Sequence, residues 1–141
     1  MTDSPEALAA LHVRCFISPR PWSADEFAAL LKEPAVFLVA EARGFALGRV
    51  LANEAELLTI AVTPEARGRG LGQRLMEGFE AEAARRGATR AFLEVAEDNG
   101  AALRLYRARG YGESGRRRGY YRRSADPAAD ALVMARDLST G

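Results

Sequence analysis

Apolar positions recur at helical spacing from Leu71 through Leu75, Met76 and Phe79 to Ala83, which predicts an amphipathic helix ended by Gly87. Shorter apolar, partly β-branched runs at Val36 to Glu41, Phe45 to Leu51, Leu57 to Val62 and Ala91 to Val95 read as strands. Arg43-Gly44 makes a turn that joins the first two in a hairpin. Ser4-Pro5 opens a helix of roughly Pro5 to Phe16, with Ser as cap and Pro in the first turn. Pro19 and Pro21 break it, and Ser23-Ala24-Asp25-Glu26 fits a capping box ahead of a short helix to about Leu31. Asp98 or Asn99 caps a helix with Ala102, Leu105 and Tyr106 on one face, stopped by Gly110, and the last clear run is Ala131 to Leu138. The resulting order, α-α-β-β-β-α-β-α-β-β without repeat or linker, predicts one mixed α/β domain over residues 1–141.

Composition supports a self-sufficient fold: 141 residues, 48% hydrophobic and 28% charged, are ordinary values for a globular domain. A formal net charge of +1 removes any case for nucleic-acid binding at the level of composition. The charge is unevenly spread, with eight arginines and one acid, Glu113, between Arg104 and Arg123, against eight acids and five basic residues in 1–60. One end of the molecule is therefore expected to be positive. Cys15 is the one cysteine, no secretory signal pattern opens the chain, and no apolar run approaches the ~18 residues that span a bilayer. These features predict a soluble protein of the reducing cytoplasm.

The stretch Leu57 to Val62, then Thr63-Pro64-Glu65-Ala66-Arg67-Gly68-Arg69-Gly70-Leu71-Gly72, reads as strand, glycine-rich loop and helix start. Free backbone N–H groups at the positive end of a helix dipole suit a phosphate or pyrophosphate, and glycines let the backbone approach it. A flexible turn is the plain alternative. The Gly-Lys-Ser/Thr of a Walker loop is missing, and a dinucleotide fingerprint would put its third glycine three residues after the second.

Arg67-x-x-Gly70-x-Gly72 resembles the pyrophosphate loop of the GNAT superfamily of acetyl-CoA-dependent N-acetyltransferases. Asn99-x-x-Ala102-x-x-Leu105-Tyr106, then Gly110-Tyr111, is similar to the helix that borders coenzyme A there. Pro21-Trp22-Ser23, Ile60-Ala61-Val62, Leu93-Glu94-Val95, Asn99, Leu105-Tyr106, Tyr120-Tyr121 and Ala131-Leu132-Val133-Met134 narrow the resemblance to the bacterial RimI-type ribosomal-protein alanine N-acetyltransferases. It covers nearly the whole chain. It implies the GNAT fold, with the first β-strand missing or shortened because the helix at Pro5 comes so early.

The resemblance further implies acetyl-CoA as co-substrate, with backbone at Ile60, Ala61 and Val62 beside the pantetheine arm and Asn99 in contact with the same molecule. Backbone from Gly68 to Gly72, including Leu71, would hold the pyrophosphate, with charge from Arg67 and Arg69. Glu94 would be the base and Tyr106 the acid. A phenol near pKa ~10 is close enough to a thiol near ~8.5 to protonate a departing thiolate. Glu94 also stands out without the resemblance, as the one charge in the apolar run Ala91 to Val95, where it must be paired, hydrogen-bonded or facing a wet cleft. Glu56, and after it Glu54, are rival bases on the strand before the loop. Arg116, Arg117, Arg118, Tyr120 and Tyr121 lie where the resembled enzymes have a loop next to the acceptor, the alternative being a solvated charge run.

His12 and Cys15, three apart in a helix with no Asp or Asn partner, read as core or surface residues rather than a nucleophile pair. One His and one Cys are too few for a Cys/His metal site. The expected acceptor is the α-amino group of a protein. A small-molecule amine is the alternative, and a non-catalytic acyl-CoA sensor is a second one, against which the presence of both Glu94 and Tyr106 speaks.

Overall fold

The structure, a computed structural model, describes residues 4–15, 22–123 and 126–138; of Cys15, 117–123 and 126–130 it describes the backbone alone. The chain runs α1 (Pro5–Cys15), α2 (Ala24–Leu31), β1 (Val36–Glu41), β2 (Gly44–Leu51), β3 (Glu54–Val62), a 3-10 turn (Pro64–Ala66), α3 (Leu71–Arg85), β4 (Arg90–Ala96), α4 (Gly100–Ala108), β5 (Gly112–Arg123) and β6 (Asp126–Asp137). The expected order of helices and strands is realised. Among the described residues no strand precedes α1, and β3 begins three residues before Leu57. Pro19 and Pro21 lie outside the described residues.

The caps behave as their chemistry requires. Ser23 Oγ accepts from Glu26 N at 3.2 Å and Glu26 Oε1 accepts from Ser23 N at 2.9 Å, so two of the orphan N–H groups of α2 are satisfied reciprocally. Asn99 Oδ1 accepts from Ala102 N at 3.2 Å at the start of α4.

Six strands form one sheet in the order β1-β2-β3-β4-β6-β5, antiparallel throughout except for the parallel pair β3–β4. A parallel pair needs a crossover, and α3 supplies it, burying Leu71, Leu75, Met76, Phe79 and Ala83 against one sheet face. Helices α1 and α2 cover the other face with Leu8, Leu11 and Phe27 over Val36, Phe45, Leu47 and Ala61. No helix among the described residues is long and apolar enough to cross a membrane.

One irregularity shapes the middle of the sheet. Leu47 pairs with Thr59 and Gly48 with Leu57, so Leu58 is an extra residue, a bulge in β3. Before it, Ala55 and Leu57 belong to the core under α3; after it, Thr59 reaches α1 and Ala61 joins the core under α1 and α2, while Ile60 and Val62 pack toward α3. A bulge bends its strand and raises the local twist. The ladder between β3 and β4 accordingly covers Glu54↔Arg90, Ala55↔Ala91 and Glu56↔Phe92 and goes no further, although β3 continues to Val62 and β4 to Ala96. The two strands part at the centre of the sheet.

Candidate active site

The opening between β3 and β4 lies at the carboxyl ends of the parallel pair, where open α/β sheets commonly bind ligands. Backbone of Ile60, Ala61 and Val62 forms one wall of it and Leu93 to Ala96 the other. At the end of β3, Pro64 starts the 3-10 turn, and the Arg67 side chain folds back so that its Nε donates to Val62 O at 3.2 Å. Thr63 Oγ1 is buried and has no hydrogen-bond partner among the described residues.

Beyond the turn, Gly68 and Gly70 adopt left-handed φ values of +78° and +81° that other residues resist. Gly70 caps α3 without a side-chain bond, and the first intrahelical bond runs from Arg74 N to Gly70 O at 3.1 Å. The N–H groups of Leu71, Gly72 and Gln73 therefore have no intrahelical acceptor, and no acidic side chain stands in the first turn. A Cβ built on Gly68 or Gly70 would meet nothing within 4 Å, so both glycines border open space. N–H groups presented in this way suit an anion. Gly72 is different: its Cβ would meet Leu105 Cδ2 at 3.2 Å, so this glycine lets α3 approach α4 rather than making room for a ligand.

Glu94 sits on β4 opposite Val133 of β6, in the part of the strand that β3 has left. Alternation along β4 buries Ala91, Leu93 and Val95 under α3 and α4 and turns half-buried Phe92, Glu94 and Ala96 to the α1/α2 side. Tyr106 comes from α4 on the opposite side, 5% exposed, with its ring edge-on to Tyr111 at 6.2 Å and 61°. The two expected proton-transfer groups thus stand on opposite faces of the sheet. Of the rival carboxylates, Glu56 Oε1 accepts from Arg49 Nη2 at 3.0 Å and Glu54 Oε2 from Arg90 Nη1 at 3.1 Å.

Asn99 is the cap of α4, which satisfies its carbonyl oxygen locally while its amide group remains a donor at the same end of the sheet. Arg116 bonds Glu97 at 2.7 Å, linking β5 to the segment between β4 and α4. Arg117, Arg118, Tyr120 and Tyr121 have their backbone in β5, and their side chains lie outside the described residues, as does that of Cys15. His12 is a core residue, 1% exposed, bonded to Thr59. Among the described residues no group of three or more His, Cys, Asp or Glu is placed to hold a metal ion.

Sequence reasoning passed over Glu80. It is 8% exposed on α3 and accepts bonds from Tyr111 Oη at 3.0 Å, Arg136 Nη1 at 3.2 Å and Arg109 Nη2. The available signal was its position four residues after Met76 and three before Ala83, a charge on the buried stripe.

Against known proteins, the sequence profile of the acetyltransferase (GNAT) family matches residues 6–111. The chain is 36% identical over 142 residues to the [ribosomal protein bS18]-alanine N-acetyltransferase of Escherichia coli K12, covering 98% of this chain and 93% of that one. It is 38% identical over 138 residues to the N-alpha-acetyltransferase RimI of Mycobacterium tuberculosis, covering 92% and 84%. The crystal structure of the ribosomal-protein-S18-alanine N-acetyltransferase from Escherichia coli superposes with a TM-score of 0.80 at 31% identity, over 92% of this chain and 84% of that one.

Proposed function

The chain belongs to the acetyltransferase (GNAT) family, and from that premise we propose that this acetyl-CoA-dependent N-acetyltransferase acts on the α-amino group at the N-terminus of a protein. The acceptor class suggested by its relatives is a ribosomal protein beginning with alanine. The observation that carries the reading is the parting of β3 and β4 after Glu56–Phe92, with Glu94 on one wall and a glycine loop opening α3 at the end of the other. The proposed compartment is the cytoplasm, where protein N-termini emerge during synthesis.

Backbone N–H groups from Gly68 to Gly72 hold the pyrophosphate, with Arg67 and Arg69 adding charge nearby. Ile60 to Val62 offer backbone to the pantetheine arm, as an unpaired strand edge offers it to another strand. Asn99 contributes its side-chain amide. Bound acetyl-CoA supplies the acetyl thioester, whose C–S bond breaks as the amine forms the C–N bond. Glu94 takes the ammonium proton through water, which leaves the amine lone pair available for attack. Tyr106 gives a proton to the departing thiolate.

Proton removal also favours the proposed acceptor. An α-amino group with a pKa of ~8 is about 2.4 units easier to deprotonate than a lysine at ~10.4. Arg116, Arg117 and Arg118 attract acidic residues a few positions into the acceptor, and Tyr120 and Tyr121 order its first residues by stacking and hydrogen bonding. Mass spectrometry of products tests the reading, using peptides with a free N-terminal Ala, the same peptides blocked and carrying an internal Lys, and small amines. Acetylation at the free terminus, far faster than at Lys, is the expected result. Turnover confined to lysine side chains or to small amines overturns it.

A further inference from the structure

Glu80 is costly where it stands, because a carboxylate on the buried stripe of a helix loses its hydration. Its three donors come from three other places in the chain: Arg109 at the end of α4, Tyr111 just beyond it, and Arg136 on β6. Arg136 Nη1 also donates to Arg109 O at 2.6 Å. Ending α4 does not require this cluster. Gly110, at φ +94°, and its N–H bond to Arg107 O at 3.0 Å already close the helix.

The cluster does fix Tyr111 at both ends. Its phenol donates to Glu80 Oε2 at 3.0 Å, and its backbone N–H donates to Tyr106 O at 3.0 Å. Between those anchors the Tyr111 ring meets the Tyr106 ring edge-on, and Tyr111 is 3% exposed. We propose that Glu80 and Tyr111 are a positioning pair for Tyr106, holding its phenol where it can deliver a proton to the leaving thiolate. The inference rests on the reading of Tyr106 as the acid. Burial, reinforced by the Glu80 charge and hydrogen bond, pushes the Tyr111 phenol well above the usual range for tyrosine. Tyr111 therefore remains a donor to Glu80 across any practical assay pH. Proton transfer needs heavy atoms within about 2.6–3.2 Å, and displacements of about 1 Å can cost ~10²-fold in rate.

Tyr111→Phe keeps the ring and removes the anchor; Glu80→Gln keeps an acceptor oxygen and removes the charge. Each is made in the native background and with Tyr106→Phe, with folding checked by thermal unfolding. In the native background each is expected to lower kcat by about ten-fold and to leave KM for acetyl-CoA within about two-fold. With Tyr106→Phe already present, neither should lower kcat further, because a misplaced phenol costs nothing once it is gone. Equal losses in both backgrounds, or none in the native one, overturn the positioning role. If Tyr106→Phe alone keeps native kcat, the acid assignment itself fails and the pair's role falls with it.

Discussion

His12 Nε2 lies 3.0 Å from Thr59 Oγ1, and this bond fastens α1 to the bulged segment of β3 that opens the sheet. The tautomer follows from the other ring nitrogen. Trp22 N donates to His12 Nδ1 at 3.0 Å, so Nδ1 is the acceptor, and Nε2 carries the hydrogen that Thr59 receives. The rings of Trp22, Phe27 and Phe45 surround the imidazole at centroid distances of 5.2, 5.4 and 6.2 Å. A residue in the N-terminal helix thereby helps to set the strand geometry beside the opening between β3 and β4.

That environment predicts an acid-sensitive fold. Burial pushes His12 from 6.5 down to about 4, outweighing the opposite pull of Glu26. Between those values the unfolded chain takes up a proton that the folded one refuses, so this contribution is complete above pH 6.5 and lost as pH falls toward 4. The loss amounts to about 3 kcal/mol. Urea unfolding at pH 7 and at pH 4.5 measures it. His12→Gln, whose amide can still donate to Thr59 but does not titrate, should flatten the dependence; an unaltered slope in that variant would assign the effect to other groups.

Gly48→Ala tests the packing beneath α3. A Cβ there would stand 2.6 Å from Phe37 Cζ and 2.7 Å from Phe79 Cε1, against two rings stacked at 5.8 Å and 14°. Neither ring can withdraw without disturbing the core, so the substitution should destabilise by about 1–3 kcal/mol, read as a lowered Tm. Phe37→Leu in the same chain should recover part of that loss. Full stability in Gly48→Ala would mean that the sheet yields at this point.

The α3 stripe and the Ser23–Glu26 box were legible because each depends on residues within a turn or two of one another. The bulge was not. Leu57, Leu58 and Ile60 are apolar and Thr59 is buried, so with core on both faces of the sheet the change of face at Leu58 leaves no charged or exposed mark. Glu54 and Glu56 hid the first part of β3, since two charges interrupt its apolar run, and only the fold brings Arg90 and Arg49 from neighbouring strands to neutralise them. In the candidate site, the glycine spacing matches the left-handed conformations of Gly68 and Gly70. The reason for Gly72 lies on Leu105, a contact made only when α3 and α4 pack. Glu80 needed partners 29, 31 and 56 residues away.

The glycine loop yields a contrast in affinity between two of its positions. Gly70→Asp places a carboxylate in the open space before α3, and Asp tolerates a left-handed φ better than most residues. Repulsion of a bound pyrophosphate should raise the Kd for acetyl-CoA at least about ten-fold, or ~1.4 kcal/mol, in calorimetry. Gly72→Ala, whose Cβ would meet Leu105 rather than the open space, should have a smaller effect on Kd. Unchanged affinity in a folded Gly70→Asp protein would remove this loop from the binding site.

The choice between Glu94 and Glu56 as base can be settled by removing one charge at a time. Glu56, paired with Arg49 at 3.0 Å, lies on the stretch of β3 that is still paired with β4, so it stands before the opening begins. Glu94 stands beyond the last β3–β4 pair, on the wall of the opening that faces the α1/α2 side. Glu94→Gln, nearly isosteric but unable to accept the ammonium proton, should lower kcat by ~10²–10⁴-fold and leave the affinity for acetyl-CoA intact. Glu56→Gln should cost at most about 1 kcal/mol of stability from a partly exposed ion pair and keep its turnover. Steady-state kinetics on both variants, with a free-N-terminus peptide as acceptor, distinguishes them. Loss of turnover in Glu56→Gln with full activity in Glu94→Gln would move the base to β3 and require Arg49 to release its partner when the acceptor binds.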